Sequence, residues 1–139
     1  DLIVSSGEEK EALIREIIHN LESFQDPETG EKPVLRAFAA KDVYSGAHID
    51  KAPDIIIGYN QGYRVSWSAP LGRIPRKILE DNTEKWSGDH CMAPEVVPGI
   101  LVTNQKIKVD SPSLSDITPT ILQIYGIEKT KEMIGKSIF

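Results

Sequence analysis

Apolar residues recur at three- and four-residue intervals near the start of the chain: Leu13, Ile14, Ile17, Ile18, Leu21 and Phe24. That spacing puts them on one face and predicts an amphipathic helix over residues 8–24. Ser6 followed by Glu9 makes a capping box at its start, and Glu8, Glu9 and Glu11 suit the positive end of the helix dipole. Asp26-Pro27-Glu28-Thr29-Gly30 ends the helix in a turn. A strand is predicted over 34–40, with Leu35 and either Ala37 or Phe38 inward, followed by a turn or helical kink over 42–46. Ile55, Ile56 and Ile57 in succession predict a strand buried on both faces. Residues 63–67 alternate between apolar and polar and predict a half-exposed strand, hairpinned to the isoleucine strand through Asn60-Gln61-Gly62.

Residues 68–85 are rich in proline, glycine and charge, with at most a helical piece over 75–80 and little core. The apolar run around Ile100 predicts another buried strand over 100–103, and Ile107 and Val109 a short edge segment. A second helix is predicted over 117–125. Asp116 is its N-cap, Ile117, Ile121, Leu122 and Tyr125 its inner stripe, and Gly126 its C-cap. Pro119 falls at the third helical position, where the missing N–H costs nothing. Helix, strand, strand, strand, loop, strand, helix is an α/β order.

Length and composition narrow the class. A chain of 139 residues, 40% apolar and 27% charged, fits one globular domain with a real core. The formal net charge is −5, without an acidic tail. The densest basic group, Arg73, Arg76 and Lys77, reads as a solvated helix face, so no nucleic-acid binding is expected. No apolar window is long enough for a membrane span, and no signal peptide is visible. Cys91 is the single cysteine, which rules out an internal disulfide and leaves cytoplasmic and exported locations both open.

Candidate chemistry gathers in Trp86-Ser87-Gly88-Asp89-His90-Cys91-Met92, ahead of the apolar run at 97–102. Gly88 permits a sharp turn, and Asp89 and His90 offer a carboxylate and an imidazole on a loop feeding a strand. Imidazole is the side chain best suited to a divalent ion near neutral pH. Of the other histidines, His48 reads as solvated in a turn and His19, on a helix flank, as solvated or half-buried. Cys91 reads as a small buried residue, and Trp86, Trp67, Tyr63 and Tyr44 as core aromatics rather than a pocket lining. Asp54 reads as a turn cap, and Thr120, inside a helix, is a poor nucleophile.

Several segments together resemble one superfamily. They are Asp26-Pro27-Glu28-Thr29-Gly30 with Val43-Tyr44-Ser45-Gly46; Ala52-Pro53-Asp54-Ile55-Ile56-Ile57 with Gly62-Tyr63-Arg64; Ser87-Gly88-Asp89-His90 with Pro98-Gly99-Ile100-Leu101; and Asp116-Ile117-Thr118-Pro119-Thr120-Ile121-Leu122 with Tyr125-Gly126-Ile127. In order and spacing they are similar to the C-terminal end of the alkaline phosphatase superfamily, in its type I phosphodiesterase and nucleotide pyrophosphatase branch. The resemblance implies an α/β sandwich with a mixed sheet flanked by helices. It also implies two divalent ions, zinc with manganese as the alternative, and a Thr or Ser nucleophile acting on a phosphate ester. One ion activates the nucleophile and the other stabilises the leaving oxygen. The superfamily's last metal-binding histidine lies in a Gly-x-His loop, so the resemblance assigns His90 as a metal ligand, with Gly88 and Asp89 positioning the loop or acting behind the metal.

No nucleophile in the superfamily's context and no second Asp-His pair occurs here, so no catalytic residue is assigned and the substrate-binding residues stay unassigned. The expectation is that residues 1–139 form a single C-terminal region of a longer metal-dependent phosphodiesterase or phosphohydrolase, inactive alone and weak in metal binding. Its partners are then a small phosphate ester and the remainder of the same polypeptide. Two alternatives stand beside it: a non-catalytic binding or scaffold module derived from the same fold, and a relative of the sulfatases or of the cofactor-independent phosphoglycerate mutases.

Overall fold

A computed structural model describes Val4 and residues 7–139. The architecture is mixed α/β, with a small antiparallel two-stranded sheet and helices. The chain divides into two compact units, one up to Pro98 and one from Gly99 to Phe139.

In the first unit, helix α1 spans Glu8–Ser23. Ser6 of the expected capping box lies outside the described residues. Gly7 is the N-cap, and the acidic first turn is present as expected. Leu13, Ile14, Ile18, Leu21 and Phe24 are half-buried while Ile17 is exposed, so the stripe leans on its neighbour without disappearing into a core. That neighbour is strand β1, Val34–Ala39. Ion pairs reinforce the seating: Lys10 with Asp54 at 2.6 Å and Lys41 with Glu11 at 2.8 Å. Asp54 therefore serves as the ion partner of Lys10 rather than as a turn cap. The Glu22 carboxylate accepts the Ala37 amide of β1 at 2.9 Å, which occupies a donor that a strand edge would otherwise offer to another chain.

β1 runs into a single helical turn, α2, Ala40–Val43, where a turn or kink was expected. Strand β2, Ile55–Tyr59, pairs antiparallel with β1, placing Ala37 opposite Ile57 and Ala39 opposite Ile55. A bulge between Val34 and Arg36 adds a residue and shifts the alternation. For that reason Val34, Ala37 and Ala39 are the buried residues of β1, and Leu35 and Phe38 are only half-buried. Ile55, Ile56 and Ile57 are half-buried rather than enclosed on both faces.

The expected hairpin does not form. β2 takes β1 as its partner, and residues 63–67 form no strand. Three interactions hold that segment instead. The Tyr63 hydroxyl donates to Asp26 at 2.8 Å and lies 3.0 Å from the Thr29 hydroxyl, and the Arg64 guanidinium sits over the Trp67 ring, 4.4 Å from its centre. The turn at 26–30 is itself closed by Gly30 N–H to the Asp26 carbonyl at 2.7 Å. No helix forms over 75–80; a short 3-10 turn, Ala69–Leu71, precedes it, and Arg73, Arg76 and Lys77 are solvated without being helical.

In the second unit the expected strand over 100–103 is absent. Ile100 and Val102 are 91% and 85% exposed, since no described strand offers this run a ladder. Residues 107–109 form no strand either, although Lys108 N–H meets the Ile138 carbonyl at 2.8 Å. Helix α3, Ile117–Ile124, matches the expectation closely. It ends in paired bonds, Ile127 N–H to the Leu122 carbonyl and Gly126 N–H to the Gln123 carbonyl, with Gly126 left-handed at φ 68°. This closure needs a residue that tolerates positive φ.

Asp116 acts differently from the expected α3 cap. Its carboxylate closes a capping box with Ser113 on the preceding 3-10 turn, Leu114–Asp116, and accepts the Lys136 amide at 2.8 Å. Ile121 and Tyr125 are exposed, and the buried residues of α3 are Pro119 and Thr120. Thr120 is committed to structure: its hydroxyl donates to the Asp116 carbonyl at 2.6 Å and accepts the Ile138 amide at 3.1 Å. Ile138 is thereby drawn into the interior.

Candidate metal loop

The loop that carries His90 is fixed at both ends and from within. Downstream, Met92 forms a parallel bridge with Tyr59, the last residue of β2. Tyr59 N–H donates to the Cys91 carbonyl at 3.0 Å, and Ala93 N–H donates to the Tyr59 carbonyl at 2.8 Å. The loop thus meets β2 at an isolated bridge over 91–93, and not a strand near Ile100 as expected. Upstream, one guanidinium nitrogen of Arg64 donates to the carbonyls of Trp86 at 3.0 Å and Gly88 at 3.1 Å. The Asn82 side-chain amide also donates to the Trp86 carbonyl, at 3.1 Å.

Between these anchors, Asp89 Oδ1 accepts the backbone amides of His90 at 2.7 Å and Cys91 at 3.2 Å. The Asp89 side chain is only 6% exposed and the His90 side chain is 97% exposed. A buried carboxylate therefore holds the backbone from which an open imidazole projects. His90 Nδ1 lies 3.7 Å from Asp89 Oδ1, beyond hydrogen-bond length but on the carboxylate side of the ring. Nε2 is left as the nitrogen available to a ligand.

Burial pushes the Asp89 carboxyl up. The amides of Cys91, His90 and Val65 and the Arg64 cation outweigh it and hold the group below its ordinary value of 3.8. A depressed native value contributes stability above the unfolded value, and that stability is lost as pH falls through the native value. Asp89→Asn is therefore expected to flatten the loss of stability below about pH 4. Denaturant midpoints followed by tryptophan fluorescence between neutral pH and about pH 2 check this. An unchanged acid slope would show that the loop does not depend on the charge. The half-buried Tyr59 phenol is raised, first by burial and then by the neighbouring Cys91 and Asp89 charges.

Asp89, His90 and Cys91 each present one ligand atom, all within 4.8 Å of one another. Asp89 Oδ2 is buried without a hydrogen-bond partner. This N, O and S donor set fits a divalent ion in part, since it stops one short of tetrahedral zinc and places its donors on consecutive residues. His90 is the exposed member of the three, and Asp89 braces the loop's own backbone.

Three expectations are corrected. Gly88 has no positive φ and a Cβ there would meet open space, so its contribution is the carbonyl that Arg64 grips. Cys91 is exposed, because the bridge at Met92 uses its backbone carbonyl and leaves the thiol outside the ladder. Trp86, Trp67 and Tyr44 are exposed rather than core. His48 and His19 are solvated and contribute nothing to the loop. Arg64 and Tyr59 were not singled out from sequence as site residues. The proximity of Arg64 to a run of aromatics was visible there, but which carbonyls it reaches depends on the tertiary path.

No family model matches the chain, and no solved structure matches it. Curated relatives do. A 2,3-bisphosphoglycerate-independent phosphoglycerate mutase of Clostridium kluyveri is 37% identical over 86 residues, covering 49% of this chain and 17% of the relative. The enzyme of the same name from Parabacteroides distasonis is 38% identical over 77 residues, covering 55% and 14%. That of Francisella tularensis is 48% identical over 46 residues, covering 32% and 9%. The chain thus spans no more than about a sixth of the length of these relatives. They belong to the alkaline phosphatase superfamily, the one that the sequence motifs resemble. They give no support to the phosphodiesterase or nucleotide pyrophosphatase subtype and agree with the alternative that named the mutases. Among the described residues no helix is long and apolar enough to cross a membrane.

Proposed function

We propose that this chain is the part of a metal-dependent phosphoryl-transfer enzyme that brings His90 to the metal centre, with phosphoglycerate as substrate. The observation that carries the reading is the presentation of His90, an open imidazole braced by a buried carboxylate on a loop tied to the end of β2. The names of the curated relatives supply the substrate class. A bound divalent ion would supply charge stabilisation at the phosphoryl group. His90 would hold that ion through Nε2, Asp89 would keep the ring's backbone in place, and the remaining polypeptide would supply the nucleophile and the other ligands.

The apolar surface supports a further covering partner. In the first unit Ile74 is 95% exposed, and in the second Ile100, Val102, Leu114 and Ile134 all stand largely in water. Exposed apolar side chains are the groups that a covering polypeptide would remove from water.

The test uses the full-length protein supplied with Mn2+ or Zn2+, with no added 2,3-bisphosphoglycerate. Interconversion of 3- and 2-phosphoglycerate is the expected result. Turnover of bis-p-nitrophenyl phosphate without mutase activity would replace this reading with a phosphodiesterase. Absence of both, in folded protein, would leave the scaffold module.

A further inference from the structure

Arg64 lies 22 and 24 residues ahead of the two loop carbonyls that it holds, those of Trp86 and Gly88. Its Nε also donates to the Val65 carbonyl at 3.3 Å, and its plane is covered by Trp67 at 4.4 Å. The preceding residue, Tyr63, is pinned to Asp26 and Thr29, so the arginine's own backbone is held from the other side. Between them, Arg64 fixes the carbonyls at positions 86 and 88, Asp89 fixes the amides at 90 and 91, and Tyr59 fixes 91 and 93. His90 sits at the centre of this sequence of restraints.

We propose that Arg64 is a positioning residue for His90: by gripping the Trp86 and Gly88 carbonyls from beneath a tryptophan ring, it fixes the backbone that aims the imidazole at the metal. The inference rests on the reading of His90 as a metal ligand. It assigns to Arg64 a role exercised through the Trp86 and Gly88 carbonyls. A guanidinium suits the task because its planar fork can serve several carbonyls while one face stacks on an aromatic. A lysine ammonium carries the same charge but cannot reproduce the fork and the stack together. Groups that orient metal ligands typically change metal affinity by about 10- to 100-fold when altered.

The experiment is a double-mutant cycle on full-length protein, with Co2+ alone as the probe. Affinity comes from competition with a chelator, and geometry from the visible absorption of the bound ion. Arg64→Lys is expected to weaken the weaker-bound Co2+ about tenfold and to shift its absorption band. Trp67→Leu, which keeps the guanidinium and removes only its cover, is expected to weaken it about threefold. In the His90→Ala background neither substitution should have any further effect, because there is no ring left to aim. Equal effects in both backgrounds, including none in either, overturn the positioning role even if Arg64→Lys lowers Tm. Should Arg64→Lys fail to fold, Trp67→Leu carries the same cycle alone. If His90→Ala leaves Co2+ affinity and spectrum unchanged, the metal assignment of His90 fails first and the role of Arg64 falls with it.

Discussion

His90→Ala in the full-length protein is expected to remove about one of two divalent ions per chain and to lower kcat/KM for phosphoglycerate about a thousandfold. Loss of a ligand withdraws several kcal/mol of charge stabilisation from the reacting phosphoryl group, and each 1.4 kcal/mol is roughly a factor of ten. The fold should survive. The His90 side chain is 97% exposed, and the backbone bonds of the loop run through Asp89, Arg64 and Tyr59, none of which the substitution touches. His48→Ala is the control, since that residue is exposed and precedes a 3-10 turn, Ile49–Lys51, in a separate loop. Metal content by elemental analysis and Tm by calorimetry separate the two effects. Metal content and activity unchanged in His90→Ala would end the assignment.

How much of this was legible in the sequence depended on how local each interaction is. α1, β1, β2 and α3 could be read because their signals are short-range: three- and four-residue apolar spacing, a run of β-branched residues, a left-handed glycine after Tyr125. The strand expected near Ile100 failed for the opposite reason. An apolar run says only that a segment must be covered, and no described strand lies beside this one. The 63–67 hairpin failed because both edges of β2 are used elsewhere: β1 pairs along one, and residues 91–93 bond Tyr59 on the other.

The site shows the same division. His90 and Asp89 stood out by residue type and by resemblance, and the structure separates them into an open ring and a buried brace. The division of labour among the glycines could not be read. Gly88 was expected to permit a sharp turn ahead of Asp89 and His90, and yet it has no positive φ and its surroundings are open. Gly58 was not singled out in the sequence, and what makes it matter is the approach of Ala93, a residue far along the chain.

Gly58→Ala is accordingly expected to be the most damaging single methyl in the first unit. A Cβ at Gly58 would lie 2.8 Å from the Cα of Ala93, 3.0 Å from its Cβ and 3.2 Å from its N. Two of those three atoms are backbone, so no rotamer change can relieve the clash, and Ala93 is fully buried with nowhere to retreat. Overpacking of this kind costs about 1–3 kcal/mol, which in a domain of this size lowers Tm by very roughly 4–8 °C for each kcal/mol. The alternative to that cost is for residues 91–93 to pull away from Tyr59, breaking the two bonds that seat the loop's downstream end. Either way the loss reaches His90, so metal affinity should fall together with stability. Gly88→Ala, two residues from the imidazole but with nothing within 4 Å of its Cβ, should change Tm by no more than a degree or two. Calorimetry and Co2+ titration of the two variants side by side test the contrast. If Gly88→Ala proves the more harmful of the pair, the close approach of β2 and Ala93 is not what holds the metal loop in place.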